Sequence, residues 1–230
     1  MSTADSPALR ERTDALLRIS PQEWGAFDVH SDPADKWLKS GDAERAVSAA
    51  LTSGCTAAHQ AAQRYGTVKP RVLAAQMEIE LSYFSKELQC NYLLLAYYRS
   101  KPPEICINTE LTDRMEPLIS KCGINLRGYT AEDVLIAHEL YHHLENAGGG
   151  ATMPKPRFPS WRLGKIQFYT YVAAVSEVAA FAFAQELLEL SFFPQAVEFL
   201  AVQMCDQAFA ENYWKLLTRG KTLSPQTGEE

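Results

Sequence analysis

The sequence predicts a mainly helical α+β fold with a small β-sheet packed beside one central helix. Three observations carry that expectation. Helix formers such as Ala, Glu, Gln and Arg dominate residues 42–66, and long apolar runs with helical spacing fill much of the second half. Between Met77 and Asn108 the pattern changes to short alternating or β-branched runs. Glycine and proline punctuate the joins. With 230 residues, 47% of them hydrophobic, the chain suits one domain of moderate size with extensions and can bury a substantial core.

The elements follow in order. Residues 1–20 are polar apart from an amphipathic stretch, Ala8 to Ile19, which predicts a short helix. Pro21, Gly25, Asp32 and Pro33 predict a loop over residues 21–35. Asp42 to Gly66 predicts one or two helices, and Pro70 to Gln76 begins another. Met77 to Leu81 alternates, Tyr92 to Tyr98 is apolar and aromatic, and Ile105-Cys106-Ile107 is short and β-branched; each predicts a strand. Arg99 to Pro103 supplies the turn of a hairpin between the last two. A continuous helix from Pro70 through Leu95 is the competing reading. Thr130 followed by Asp133 predicts a capped helix start, Val134 to Leu144 a largely apolar helix, and Gly148-Gly149-Gly150 its end. Gly148 to Pro159 predicts a loop, either a lid over a cleft or a plain connection. Gln167 to Leu190 predicts a long helix and Pro194 to Leu217 a last one. The organisation is thus an N-terminal helical extension over 1–69, a core over 70–217 and a disordered tail over 218–230.

The predicted helix over Ala131 to Asn146 contains His138-Glu139-Leu140-Tyr141-His142, an H-E-x-x-H motif. Histidines four apart lie one above the other on a helix, so both imidazoles reach one metal ion, and Glu139 projects near the same face. With only 5 histidines in the chain, chance placement yields this motif under about 1% of the time. The bland alternative is a helix whose histidines are satisfied by carbonyls or solvent. A catalytic zinc takes three protein ligands and keeps a fourth position for water. No histidine follows His143, so the third ligand is an Asp, Glu or Cys. Glu177 is the best candidate, because it stands alone in the apolar run Val172 to Ala184, where an uncompensated carboxylate is costly. A surface position, or pairing with Arg162 or Lys165, is the competing reading. Glu145, Glu186 and Glu189 sit in more polar neighbourhoods, and Cys122 and Cys205 have no supporting spacing. His143 points about 100° away from His142 around the helix, which marks it as a supporting or surface residue.

Three blocks resemble the ImmA/IrrE family of gluzincin-like metallopeptidases. Pro103-Glu104-Ile105-Cys106-Ile107-Asn108-Thr109-Glu110-Leu111 is similar to the family's short strand ending in Asn. Asp133 to Leu144, with Ala137-His138-Glu139-Leu140-Tyr141-His142, is similar to its metal-binding helix. Glu177-x-x-Ala180-x-x-Phe183-Ala184-x-x-Leu187-Leu188 is similar to the helix that carries its third ligand. The resemblance covers roughly residues 70–195. It implies a zincin-like metallopeptidase core, Zn2+ held by His138, His142 and Glu177, and Glu139 as general base. It also implies a protein or peptide substrate, with a transcriptional regulator as one such substrate. The chain departs from the family at Tyr141, where Gly is usual, and in the long segment Ala147 to Pro159. No DNA-binding helix-turn-helix is evident.

In the implied chemistry Glu139 moves the proton and a further donor steadies the oxyanion; Tyr141, Tyr169, Tyr171 and Arg162 are candidates. The strand ending at Asn108 is expected to offer an edge for an extended substrate. Two alternatives remain at this stage: a zinc-dependent hydrolase of a small molecule, and a non-catalytic metal-binding regulatory protein. A net charge of −6 and pI near 5.5 leave no basic footprint for nucleic acid. Five scattered cysteines without C-x-x-C suggest reduced thiols and a cytoplasmic protein. The apolar run Val172 to Phe193 is interrupted by Glu177, Gln185, Glu186 and Glu189, so a membrane span is not expected.

Overall fold

The computed structural model describes residues 7–85, 94–147 and 156–218. The glycine stop after the H-E-x-x-H helix, most of the candidate lid and residues 219–230 of the tail lie outside the described residues, as does the start of the aromatic run at Tyr92. The fold is α+β: among the described residues, α-helices pack against one another and beside a three-stranded sheet, and a separate two-stranded hairpin is largely exposed. None of these helices is long and apolar enough to cross a membrane.

The N-terminal helix α1 spans Pro7–Leu17, close to its expected limits. Residues 21–31 correct the sequence reading: they form a helix, α2 (Pro21–Ser31), rather than a loop. The signal is a capping box. Ser20 Oγ accepts from the Glu23 amide, the Glu23 carboxylate accepts from the Ser20 amide, and Pro21 occupies the first helical position. Helix α3 (Asp42–Tyr65) is a single 24-residue helix that stops at Gly66, whose φ of 67° suits glycine. Its buried stripe is small: Ala46, Ala50, Gly54, Ala57, Ala58 and Ala61 recur at helical spacing. That stripe lies against the most buried helix, α7 (Ala174–Leu187). One apolar core runs from Leu16 through α3 to Leu217.

Helix α4 (Pro70–Gln76) is as expected, but the chain then turns through Met77 and Glu78, and strand β1 occupies Glu80–Phe84 instead of starting at Met77. A helix running on to Leu95 is thereby ruled out. Strands β2 (Ala96–Ser100) and β3 (Pro103–Asn108) form the expected antiparallel hairpin, with Lys101 and Pro102 alone between them. Strand β1 pairs with β3 in parallel, so the order is β1-β3-β2. This corrects the expected edge: Asn108 ends the buried central strand, and β2 is the free edge on the side of the H-E-x-x-H helix.

After α5 (Thr109–Lys121), helix α6 (Ala131–Ala147) carries the motif. Thr130 and Asp133 cap it reciprocally, at 3.1 Å from the Asp133 amide to Thr130 Oγ1 and 3.0 Å from the Thr130 amide to Asp133 Oδ2. The sheet packs beside α6 through β2 and β3. Two further expectations are corrected. Residues 157–171 form an antiparallel hairpin, β4 (Arg157–Leu163) and β5 (Ile166–Tyr171), so the loop is shorter and α7 starts later than the sequence suggested. Alternation and β-branched or aromatic side chains in Ile166-Gln167-Phe168-Tyr169-Thr170-Tyr171 explain the strand. The last helix is two, α8 (Gln195–Cys205) and α9 (Gln207–Leu217). They are separated by Asp206, which is extended and caps α9 by accepting from the Phe209 amide at 2.9 Å.

Candidate metal centre

Helices α6 and α7 pack side by side, and this brings three side chains to one point. His138 and His142 project from the middle of α6; Glu177 projects from the first turn of α7, where the helix N-terminus favours a carboxylate. His138 Nε2 lies 3.1 Å from Glu177 Oε2, His142 Nε2 lies 3.2 Å from His138 Nε2, and His142 Nε2 lies 3.6 Å from Glu177 Oε1. The three ligand atoms fall within 4.8 Å of one another. Ligands about 2.1 Å from a tetrahedral zinc stand roughly 3.4 Å apart, so these residues fit a zinc ion without rearrangement. Arg162 and Lys165 do not pair with Glu177; its recorded partners are the two histidines.

The supporting contacts orient one ligand. Ser176 Oγ donates to Glu145 Oε2 at 2.8 Å and faces His142 Nδ1 at 3.4 Å. With its proton committed to Glu145, the hydroxyl can accept from Nδ1–H of His142 and so orient the ring with Nε2 toward His138 and Glu177. His138 is steadied by packing, with the Phe181 ring edge-on at 4.4 Å, and its buried Nδ1 has no hydrogen-bond partner among the described residues. Tyr141, the departure from the resembled family, points away from the cluster toward α3. Its hydroxyl is 3.0 Å from Ser53 Oγ.

Electrostatics follow from this geometry. Burial alone would raise the Glu177 carboxyl. Hydrogen bonds and charge from His138 and His142 outweigh it and hold the pKa well below the usual carboxylate range. Burial works against a charged His142, but the hydrogen bond and charge of Glu177 win and its pKa rises. Glu139 is buried beside the triad, and burial pushes its pKa up despite the two imidazoles. The Tyr98 backbone amide, on the free edge β2, faces the Glu139 carboxylate.

No protein-family model, curated protein or solved structure matches this chain.

The triad opens onto a cleft of about 1180 Å³, walled by β2 at Tyr97 and Tyr98, by α6, by α7 and by the base of the β4–β5 hairpin at Arg157 and Tyr171. Glu177 is 52% exposed to this cleft, whereas His138 is nearly covered. Of the other candidates, Glu145 lines the same cleft and accepts from Ser176, outside the cluster of three ligand atoms, and the rest sit elsewhere. Glu186 pairs with His59 and Glu189 with Arg127; Cys122 takes a hydrogen bond from Thr13. His143 meets the Tyr98 hydroxyl at 3.1 Å, in the supporting position its angle implied. Among the oxyanion-donor candidates, Tyr141 and Tyr171 line the cleft, Tyr141 with its hydroxyl hydrogen-bonded to Ser53; Arg162 donates to the Gly164 carbonyl and Tyr169 lies out on the hairpin.

Sequence reasoning missed Glu198, which lines the cleft from α8. Burial pushes its carboxyl up to about 8, and the charges of Asp28, Glu177 and Glu139 add to the rise. Asp28 on α2 is pushed up to about 7 by burial, against a hydrogen bond from Gln195 at 2.7 Å. The signal for Glu198 was present: like Glu177, it is an acid set in an apolar helix.

Proposed function

We propose that this chain is a zinc-dependent metallopeptidase with a zincin-like core, in which His138, His142 and Glu177 hold the metal and Glu139 is the general base. The observation that carries the reading is the meeting of Nε2, Nε2 and a carboxylate at metal-ligand spacing, at the wall of an open cleft, with a buried carboxyl next to them. A zinc ion held by His138, His142 and Glu177 would supply a Lewis acid and lower the pKa of a nucleophilic water. Glu139 is the group placed to accept that water's proton and return it to the departing amine nitrogen. Burial of Glu139 keeps competing solvent off that proton.

A polypeptide substrate is favoured over a small molecule by size and shape. The cleft exceeds the roughly 300–1,000 Å³ of ordinary small-ligand pockets. It is also bordered by β2, an edge strand among the described residues, whose outward backbone groups other than the Tyr98 amide can align an extended chain. The resemblance of the three sequence blocks to the ImmA/IrrE family points the same way, toward cleavage of a regulatory protein such as a transcriptional regulator in the cytoplasm.

The test is Glu139→Gln in the full chain. Zinc content by elemental analysis stays near one per chain, and hydrolysis of an unstructured protein such as casein drops by at least about 100-fold. Unaltered turnover would remove Glu139 from the mechanism; absence of zinc from the natural chain would remove the metal.

A further inference from the structure

We propose that the β4–β5 hairpin is the docking surface for an extended, acidic and aromatic-rich segment of the polypeptide that the metal centre cleaves. The inference deepens the peptidase reading and rests on it. Exposed apolar patches are uncommon on soluble proteins, yet Trp161, Leu163 and Ile166 on one face of the hairpin, and Tyr169 and Tyr171 on the opposite face beside Arg157, are each between 48% and 63% exposed; the face with the tyrosines is the one that reaches the cleft. Their arrangement is ordered. Trp161 stacks on Phe168 at 3.7 Å with an interplanar angle of 7°, and the Arg157 guanidinium lies 5.5 Å from the centre of the Tyr171 ring. Exposed Trp, Tyr and Arg held in fixed positions are the residue types that anchor protein partners.

Charge selects the partner. From Asn146 to Ser176 the sequence contains no Asp or Glu, while Arg157, Arg162 and Lys165 fall on the hairpin; the chain as a whole carries −6. This is a local basic strip on an acidic protein, and it attracts acidic segments. Position selects the use. Arg157 and Tyr171 belong both to the hairpin and to the cleft wall, so the strip continues into the cleft that holds Glu177. The cleft itself is lined by Glu139, Glu145, Glu177 and Glu198, so the acidic segment stays on the hairpin and the flanking part of the same chain reaches the metal triad. An anionic lipid surface also suits aromatic and basic residues, but a bilayer meets only the tip and cannot use the stretch shared with the cleft.

The test uses the full zinc-loaded chain carrying Glu139→Gln, so that bound peptide is not consumed. Fluorescence anisotropy is read with a labelled pool of short peptides of Asp, Glu, Leu, Phe and Tyr, and with a second pool carrying Lys for the acids. The acidic pool binds at least about tenfold tighter than the Lys pool. Tyr169→Ser with Tyr171→Ser, and separately Arg162→Glu with Lys165→Glu, each weaken it about tenfold while zinc content is unchanged. Equal binding of the two pools, or indifference to both double variants, overturns the proposal. Binding of phosphatidylglycerol vesicles through these residues without peptide binding overturns it too, and assigns the hairpin to lipid. Acidic peptide bound by a chain that takes up no zinc sinks the peptidase reading alone; zinc and turnover with an indifferent hairpin sink the docking surface alone.

Discussion

A methyl group added to Gly54 would lie 2.2 Å from the carbonyl oxygen of Ala179. Helices α3 and α7 are in backbone contact there, and the stripe of alanines on α3 exists to permit it. The contact fixes the position of α7, and with it that of Glu177 two residues before Ala179.

Gly54→Ala is therefore destabilising, although alanine favours an isolated helix by about 1 kcal/mol. The obstruction is backbone and cannot rotate away, so overpacking at about 1–3 kcal/mol prevails. Thermal unfolding followed by circular dichroism reads the loss, and an unchanged or higher Tm contradicts the close approach.

Glu177→Ala removes the only triad member from α7. Zinc affinity, measured by competition with a chelating dye, falls by more than the 10–100-fold typical of losing a supporting group. Full retention transfers the third-ligand role to another residue.

Ser176→Ala leaves all three ligands in place but frees His142 Nδ1 and Glu145 from their shared hydroxyl. The expected cost is about 10–100-fold in zinc affinity with the fold intact. Ser176→Thr, which keeps the hydroxyl, restores it. Equal affinity for all three chains means that the hydroxyl does not orient the ring.

The pH dependence of stability has a definite sign. Asp28 and Glu198, with ordinary values of 3.8 and 4.5, hold their protons to about 7 and about 8 in the folded chain. The folded state thus binds more protons than the unfolded state, and stability declines as pH climbs from about 5 to about 8. His142, also raised, contributes in the same direction. The Tm of chelator-treated protein should fall across that window, with a shallower fall for Glu198→Gln. A Tm that climbs with pH there contradicts the buried acids.

Much of the centre was legible in the sequence because its signals are local. H-E-x-x-H needs only helical spacing, and a lone carboxylate among Val, Ala and Phe announces a buried partner. Helix α2 was missed because Pro21 and Gly25 read as breakers, while Ser20 and Glu23 already spelled a capping box. Gly25 is there for packing: a methyl group at that position would meet Val47 Cγ1 at 2.6 Å. The edge of the sheet and the Ser176–Glu145 contact were not legible. Each depends on which distant segments pair, and strand order β1-β3-β2 leaves no local trace. The β4–β5 hairpin was hidden by its continuity with the apolar run of α7.

That continuity has a consequence. Only Val172 and Ala173 separate the end of β5 from α7, whose first turn carries Glu177. Residues inserted into this two-residue joint would therefore displace the hairpin from the acid without touching either imidazole, both of which belong to α6.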